Sequence, residues 1–196
     1  MTNVRLATPA DIEAIADTVA LAFAGDPAWT FILGADDMAA RRAFATALLV
    51  PRIRRGTTWV ADECRTVAMW DRWDVHTPRD DDHDERWAAF REFAGEEVSR
   101  RLDVYDSALA GVEPARPHWY LGALATHPDV QGRGLATAVL EPGFAAIDSD
   151  GWDCWLDTST TANKAFYARR GFTESHVLDI EGCPPTWWMR RPSPST

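Results

Sequence analysis

The stretch HWYLGALATHPDVQGRGLAT, residues 118–137, decides how the rest of the chain is read. Residues 119–126 form an apolar run that opens on aromatic residues and is stopped by Pro128, the pattern of a buried strand. Gln131, Gly132, Arg133, Gly134, Leu135 and Ala136 follow, and Leu135, Val139, Leu140 and Phe144 then continue at helical spacing. A strand, a glycine-bearing turn and a helix N-terminus make an anion site. The free amides of the first helical turn point at the ligand, and the aligned peptide dipoles favour negative charge there. The two glycines admit torsions closed to other residues and let the backbone approach a phosphate.

The kind of phosphate ligand follows by elimination. A Walker loop needs G-x-x-x-x-G-K-[ST], and no Lys or Ser/Thr stands where that pattern requires it. A dinucleotide loop needs G-x-G-x-x-G, but its last position here is Thr137. What remains is Q-x-x-G-x-A after an L-A-T-x-P strand end. This resembles the pyrophosphate-binding loop of the GNAT superfamily of acyl-CoA-dependent N-acetyltransferases. A second match lies downstream in NKAFYARRGF, residues 163–172. It is similar to the family's N-x-x-x-(F)Y-x-x-x-G-F segment. Asn163 and Tyr167 are four apart and so share one helical face.

Bulk properties bound the alternatives. The 196 residues suit one well-buried domain, and 46% hydrophobic with 26% charged residues is ordinary for a soluble globular chain. No window approaches a membrane span, and residues 1–5 lack the apolar core of a signal peptide, so a cytoplasmic location is expected. Cys64, Cys154 and Cys183 are odd in number and widely spaced, which argues against a disulfide framework or a zinc site. The net charge of −10 speaks against nucleic acid, which calls for a basic face. The same charge either steers a cationic small substrate or only keeps the chain soluble.

Along the chain, residues 4–8 read as a first strand. A helix starts at Pro9, with Thr8 as cap and Ile12, Ile15, Ala16, Val19, Ala22 and Phe23 on its apolar face. A second helix is expected over about 37–52. Between them lies the aromatic connector FAGDPAWTFIL, residues 23–33, either a plug over the core or an acceptor-binding wall offering Trp29 and Phe31. Residues 57–61 and 66–70 read as a hairpin turning near Glu63, followed by a polar loop over 71–84 that contains His76. A long amphipathic helix, with room for a break, follows from about residue 85. After the anion loop come a helix carrying an internal Pro142, a strand over 152–158, a short helix over 161–170 closed by Gly171, and two final strands over 172–180 and 186–190.

The family resemblance implies an α/β (α+β) fold with a mixed, mostly antiparallel sheet of about seven strands, helices on both faces, and a splay at strand 118–127. Residues 1–191 are expected to form one acyltransferase domain, with an inserted helical segment at about 71–117 and a flexible tail at 192–196. It implies acetyl-CoA as co-substrate, no metal, and a small-molecule primary amine as acceptor. By the same resemblance Leu124, Ala125 and Thr126 hold the pantetheine arm, Gln131, Gly132, Arg133, Gly134, Leu135 and Ala136 grip the pyrophosphate, Asn163 contacts the arm, and Tyr167 is the general acid. The alternative for Tyr167 is a packed aromatic before a glycine cap. Asp157, at the end of its strand, is the candidate for taking the amine's proton or orienting the ammonium, unless it is a structural carboxylate; Glu63 is a weaker candidate.

Within the family, the resemblance over 4–11, 22–28, 59–62, 118–143, 156–159 and 184–191 runs to members that acetylate an amino-nucleoside antibiotic. It is weakest between residues 71 and 116, and Asp157 stands where those members carry Glu. Acetylation of a protein N-terminus or lysine, and a CoA-binding sensor without catalysis, are the competing readings. Monomer and homodimer both stay open.

Overall fold

The computed structural model describes residues 2–34, 37–74 and 80–194. The chain runs through β1 (Val4–Leu6), α1 (Ile12–Ala22), α2 (Pro27–Leu33), α3 (Met38–Arg54), β2 (Thr58–Ala61), β3 (Thr66–Trp73), α4 (His83–Ala94) and α5 (Glu96–Ala110). It continues through β4 (His118–Thr126), α6 (Leu135–Asp150), β5 (Asp153–Thr158), α7 (Thr161–Ala168), β6 (Thr173–Leu178) and β7 (Thr186–Arg191). The strands make one seven-stranded sheet in the order β1-β2-β3-β4-β5-β7-β6, antiparallel except where β4 runs parallel to β5. The α+β class and the mixed seven-stranded sheet agree with the expectation from sequence.

Two elements differ from that expectation, and a third, the helix after residue 85, takes the break that the expectation allowed. The connector at 23–33 contains a helix, α2, because the Asp26 carboxylate accepts from the amides of Ala28 and Trp29, both at 3.0 Å, and Pro27 occupies the first helical position. The long helix after residue 85 is two helices, broken at Gly95, whose φ of 88° lies in the left-handed region. At the C-terminus Ser193 is buried and its amide donates to Asp153 Oδ1 at 3.0 Å, so the chain is held that far. His76 and its neighbours in the polar loop lie outside the described residues.

Side chains fill both faces of the sheet. Val67, Met69, Ala123 and Ala125 pack with α1, α2 and α3 on one face; Ala68, Trp70, Trp119 and Leu121 pack with α6 on the other. On β4 the odd-numbered residues change face midway. The cause is a bulge: Met69 pairs with Ala123 but Trp70 with Leu121, so Gly122 is an extra residue in the ladder. One extra residue inverts the alternation of everything beyond it. A side chain at Gly122 would meet the Arg52 guanidinium, its Cβ falling 2.5 Å from Nη2, so any larger residue would have to displace that side chain.

The bulge coincides with the end of strand pairing on the other edge. β4 pairs with β5 only through His118–Asp153, Trp119–Cys154 and Tyr120–Trp155. From Leu121 onward the two parallel strands diverge, which is the splay expected from sequence.

Pro142 sits inside α6, followed by Gly143, where a Cβ would fall 2.5 Å from the fully buried Trp70 indole. Close approach of α6 to β3 therefore depends on that glycine. Gly143→Ala gains about 1 kcal/mol of helix propensity but forces the core apart, at a cost of about 1–3 kcal/mol. A net loss of stability is expected. Urea unfolding checks it, by a lower midpoint at unchanged slope.

Candidate active site

Two cavities meet where the strands diverge. The first is a groove of about 450 Å³ over the start of α6. Gln131, Gly132, Gly134, Leu135 and Ala136 line it, with Leu124 and Thr126 from β4 and Asn163 and Tyr167 from α7. Gly132 and Gly134 have φ of 76° and 78°, and a Cβ on either would meet nothing within 4 Å. Their requirement is thus torsional, since L side chains are disfavoured in that region. Gly134 is the residue before α6 and no side chain caps that end, so the first-turn amides keep the electropositive character of a free helix N-terminus. The Gln131 side chain donates to the Thr126 carbonyl at 3.2 Å and ties the loop to the end of β4.

Not every residue expected at this loop lines the groove. Arg133 is exposed, with its guanidinium donating to the Asp129 carbonyl at 3.3 Å. Ala125 is in the core facing α1 and α3, a consequence of the bulge. Arg170, which the sequence motifs did not single out, lies beside the groove: it donates to Thr137 Oγ1 and stacks on the Phe166 ring at 3.4 Å. No motif position marks it; its place follows from α7 packing beside the start of α6.

The second cavity, a chamber of about 250 Å³, lies on the other side of the junction. Phe23, Asp26, Leu124, Asn163 and Tyr167 belong to both cavities. The spacing of Asn163 and Tyr167 therefore does place both side chains on one face, at the junction. Tyr167 packs edge-on against Phe166 and Phe172, and burial pushes its phenol up, so the hydroxyl keeps its proton at neutral pH.

The chamber walls are aromatic and acidic. Phe23 stacks on Trp29 at 4.3 Å between ring centroids, and Trp29 meets Phe44 edge-on at 4.9 Å. The aromatic connector is thus both plug and wall: Trp29 is in the core and also lines the chamber. Phe31 does not. Two residues along a helix point to different sides, and Phe31 faces a surface hollow beside Arg101 and Glu181. Glu63 does not reach the site either. It is exposed in the β2–β3 turn, with φ of 54°, and lines neither cavity.

Asp157 lines the chamber and is gripped by two phenols. Tyr105 of α5 donates to Oδ2 at 2.5 Å, and Tyr120 of β4 donates to Oδ1. Tyr120 belongs to the last paired residue couple before the splay, so its side chain bridges β4 and β5 where the backbone ladder stops. Burial raises the Asp157 carboxyl, and the two phenol hydrogen bonds counteract part of that rise. Burial also raises both phenols well above the ordinary range, so they remain donors.

Asp26 is the acidic residue at the junction itself. Its Oδ1 accepts both helix amides, and burial raises its carboxyl, with the Asp157 charge adding to the rise. Asp26 carries no motif signal, because the segment reads as an aromatic connector and only the packing of α2 brings its N-cap carboxylate to the junction. Asp106 of α5 also lines the chamber. Among the described residues no group of three His, Cys, Asp or Glu is arranged to hold a metal, and no helix is long and apolar enough to cross a membrane.

Known proteins place this architecture. Residues 83–174 match the model of the acetyltransferase (GNAT) domain. The whole chain is similar to a solved structure from Corynebacterium glutamicum named histone acetyltransferase HPA2 and related acetyltransferase, with 25% identity, TM-score 0.71, and 98% of this chain and 96% of that one covered. It shares its fold with a Drosophila melanogaster polyamine N-acetyltransferase that forms N-acetylagmatine (17% identity, TM-score 0.68, 97% of each chain). It shares it also with the PaiA N-acetyltransferase of Thermoplasma acidophilum in complex with coenzyme A (10% identity, TM-score 0.59, 98% of this chain and 99% of that one). Residues 83–174, the part that matches the acetyltransferase (GNAT) domain, contain the glycine loop, the splayed strands and the Asn163–Tyr167 face described above, within a chain whose α+β fold is GNAT-like.

Proposed function

We propose that the protein transfers an acetyl group from acetyl-CoA to the primary amine of a small molecule seated in the aromatic and acidic chamber. The observation that carries this reading is the junction. A phosphate-suited groove and a small chamber share Asp26, Leu124, Asn163 and Tyr167, so an acyl donor in one and an amine in the other meet there. The groove fits a CoA pyrophosphate: left-handed glycines, uncapped helix amides and a strand edge without a partner are donors to an anion and to an amide-bearing arm. Acetyl-CoA supplies the activated acetyl group.

The chain's own residues divide the remaining work. Loop amides over 131–136 hold the pyrophosphate, and Arg170, beside the groove, adds positive charge. Backbone donors near Leu124 orient the arm and the carbonyl, a use of fixed dipoles that carries much of the catalysis in acyl transfer. The ammonium loses one proton to water before attack, and Asp26 receives the second as the C–N bond forms and the C–S bond breaks. Tyr167, protonated at neutral pH, returns a proton to the departing sulfur. Asp157, held by Tyr105 and Tyr120, orients the acceptor from the chamber wall and is the second carboxylate able to take that proton.

Chamber size bears on the acceptor. Sites for drug-sized ligands run from about 300 Å³ upward, and this chamber holds about 250 Å³. A small amine fits that volume better than the amino-nucleoside antibiotic suggested by the resemblance of several segments to puromycin N-acetyltransferase. The solved structures of like fold include enzymes for agmatine and arylalkylamines, which is the same size class. Release of free thiol from acetyl-CoA, measured against linear amines, arylalkylamines, puromycin and a lysine-bearing peptide, tests the reading. Turnover with small amines is expected; thiol release with the peptide alone, or with no acceptor, would overturn it.

A further inference from the structure

We propose that the preferred acceptor carries two positive groups: the amine that is acetylated, beside Asp26, and a second ammonium or guanidinium held where Asp157 and Asp106 line the chamber. This rests on the reading that the chamber takes the acceptor. Asp26 borders both groove and chamber, whereas Asp157 and Asp106 border the chamber alone. The reacting amine must sit at the junction, so its charge is matched by Asp26. That leaves two carboxylates that line the chamber and not the groove.

Nothing in the chamber wall neutralises them. Arg52 is the cationic side chain among the lining residues, and it is committed elsewhere: Nε donates to Asp71 at 3.0 Å and Nη1 to the Leu48 carbonyl. Tyr105 and Tyr120 give Asp157 hydrogen bonds but no positive charge. Asp106 has no hydrogen bond or ion pair with any described residue. Arg91, which lies close enough to lower its carboxyl, is bonded to Asp103 at 2.7 Å. Its side chain is open to solvent at the chamber rim, yet the surrounding walls and the charges of Asp103 and Asp157 raise the carboxyl. A carboxylate in such surroundings is stabilised by a cation brought by the ligand. The rings of Phe23, Trp29 and Tyr105 in the same wall offer cation–π surface to that second group. A monoamine compensates one of the three carboxylates; a diamine compensates two.

Chain-matched acceptors test this by thiol release: putrescine against n-butylamine, and cadaverine against n-pentylamine. The wild-type kcat/KM is expected to favour each diamine by at least about tenfold, beyond the twofold that two equivalent ends provide. Asp106→Asn is expected to cut that diamine-to-monoamine ratio by about tenfold, mainly through KM. Asp106 stands on the exposed side of α5 without a partner, so the variant keeps its fold, checked by an unchanged melting curve. Equal service to diamines and monoamines by the wild type, or a ratio that Asp106→Asn leaves alone, would overturn the inference while leaving the N-acetyltransferase reading intact. Absence of thiol release with every amine would overturn both.

Discussion

Replacing Tyr167 by Phe is expected to lower kcat by about 100- to 1,000-fold, within the range general acid–base catalysis contributes, while CoA affinity changes little. The phenol lies at the junction of groove and chamber, and burial holds it protonated across the working pH range. Its ring is packed against Phe166 and Phe172, contacts that a phenylalanine keeps, so the variant removes an oxygen and a proton without opening the core. Steady-state kinetics with a fixed amine, alongside titration of CoA, separates the two effects. A loss confined to kcat marks an interaction made in the transition state. Full activity in Tyr167→Phe would show that the sulfur finds its proton elsewhere.

The second large effect is expected at Asp26. Asparagine caps a helix about as well as aspartate, so Asp26→Asn keeps the bonds to the Ala28 and Trp29 amides and hence the placement of Trp29. What it loses is the capacity to take a proton. A fall in kcat/KM of about 100-fold at neutral pH is expected. The pH profile sharpens the test. Burial raises the Asp26 carboxyl, so in the wild type the acid limb of kcat/KM lies above the ordinary Asp range near about 4, and activity falls as pH drops through it. In Asp26→Asn that limb should disappear. If instead the limb persists and Asp157→Asn removes it, the proton goes to Asp157, the carboxylate that Tyr105 and Tyr120 grip.

The sequence was informative where one local motif carries both geometry and chemistry. The glycine loop, the uncapped start of α6 and the four-residue spacing of Asn163 and Tyr167 are local patterns, and the groove is built from them. The chamber is different. Its walls come from α2, α3, α5, β4 and β5, brought together by tertiary packing that no spacing rule reports. The bulge at Gly122 is the clearest case. Strict alternation along β4 puts Trp119, Leu121, Ala123 and Ala125 on one face, but the extra residue divides them between two, which carries Ala125 into the core. Tyr105 and Asp106 fall in a stretch whose periodicity reports only an amphipathic helix, whereas the Tyr105 contact with Asp157 depends on α5 lying across the end of β5. Phe31 was grouped with Trp29 by proximity in a segment read as a connector, and the helix that forms there turns it away.

A structure of the protein with coenzyme A bound would show whether groove and chamber form one active site. The pyrophosphate is expected on the amides over 131–136 and the sulfur at the junction bounded by Asp26, Leu124, Asn163 and Tyr167, with the chamber open to receive an amine from the other side. A sulfur lying away from that junction, or a pyrophosphate bound at any place other than the start of α6, would contradict that arrangement.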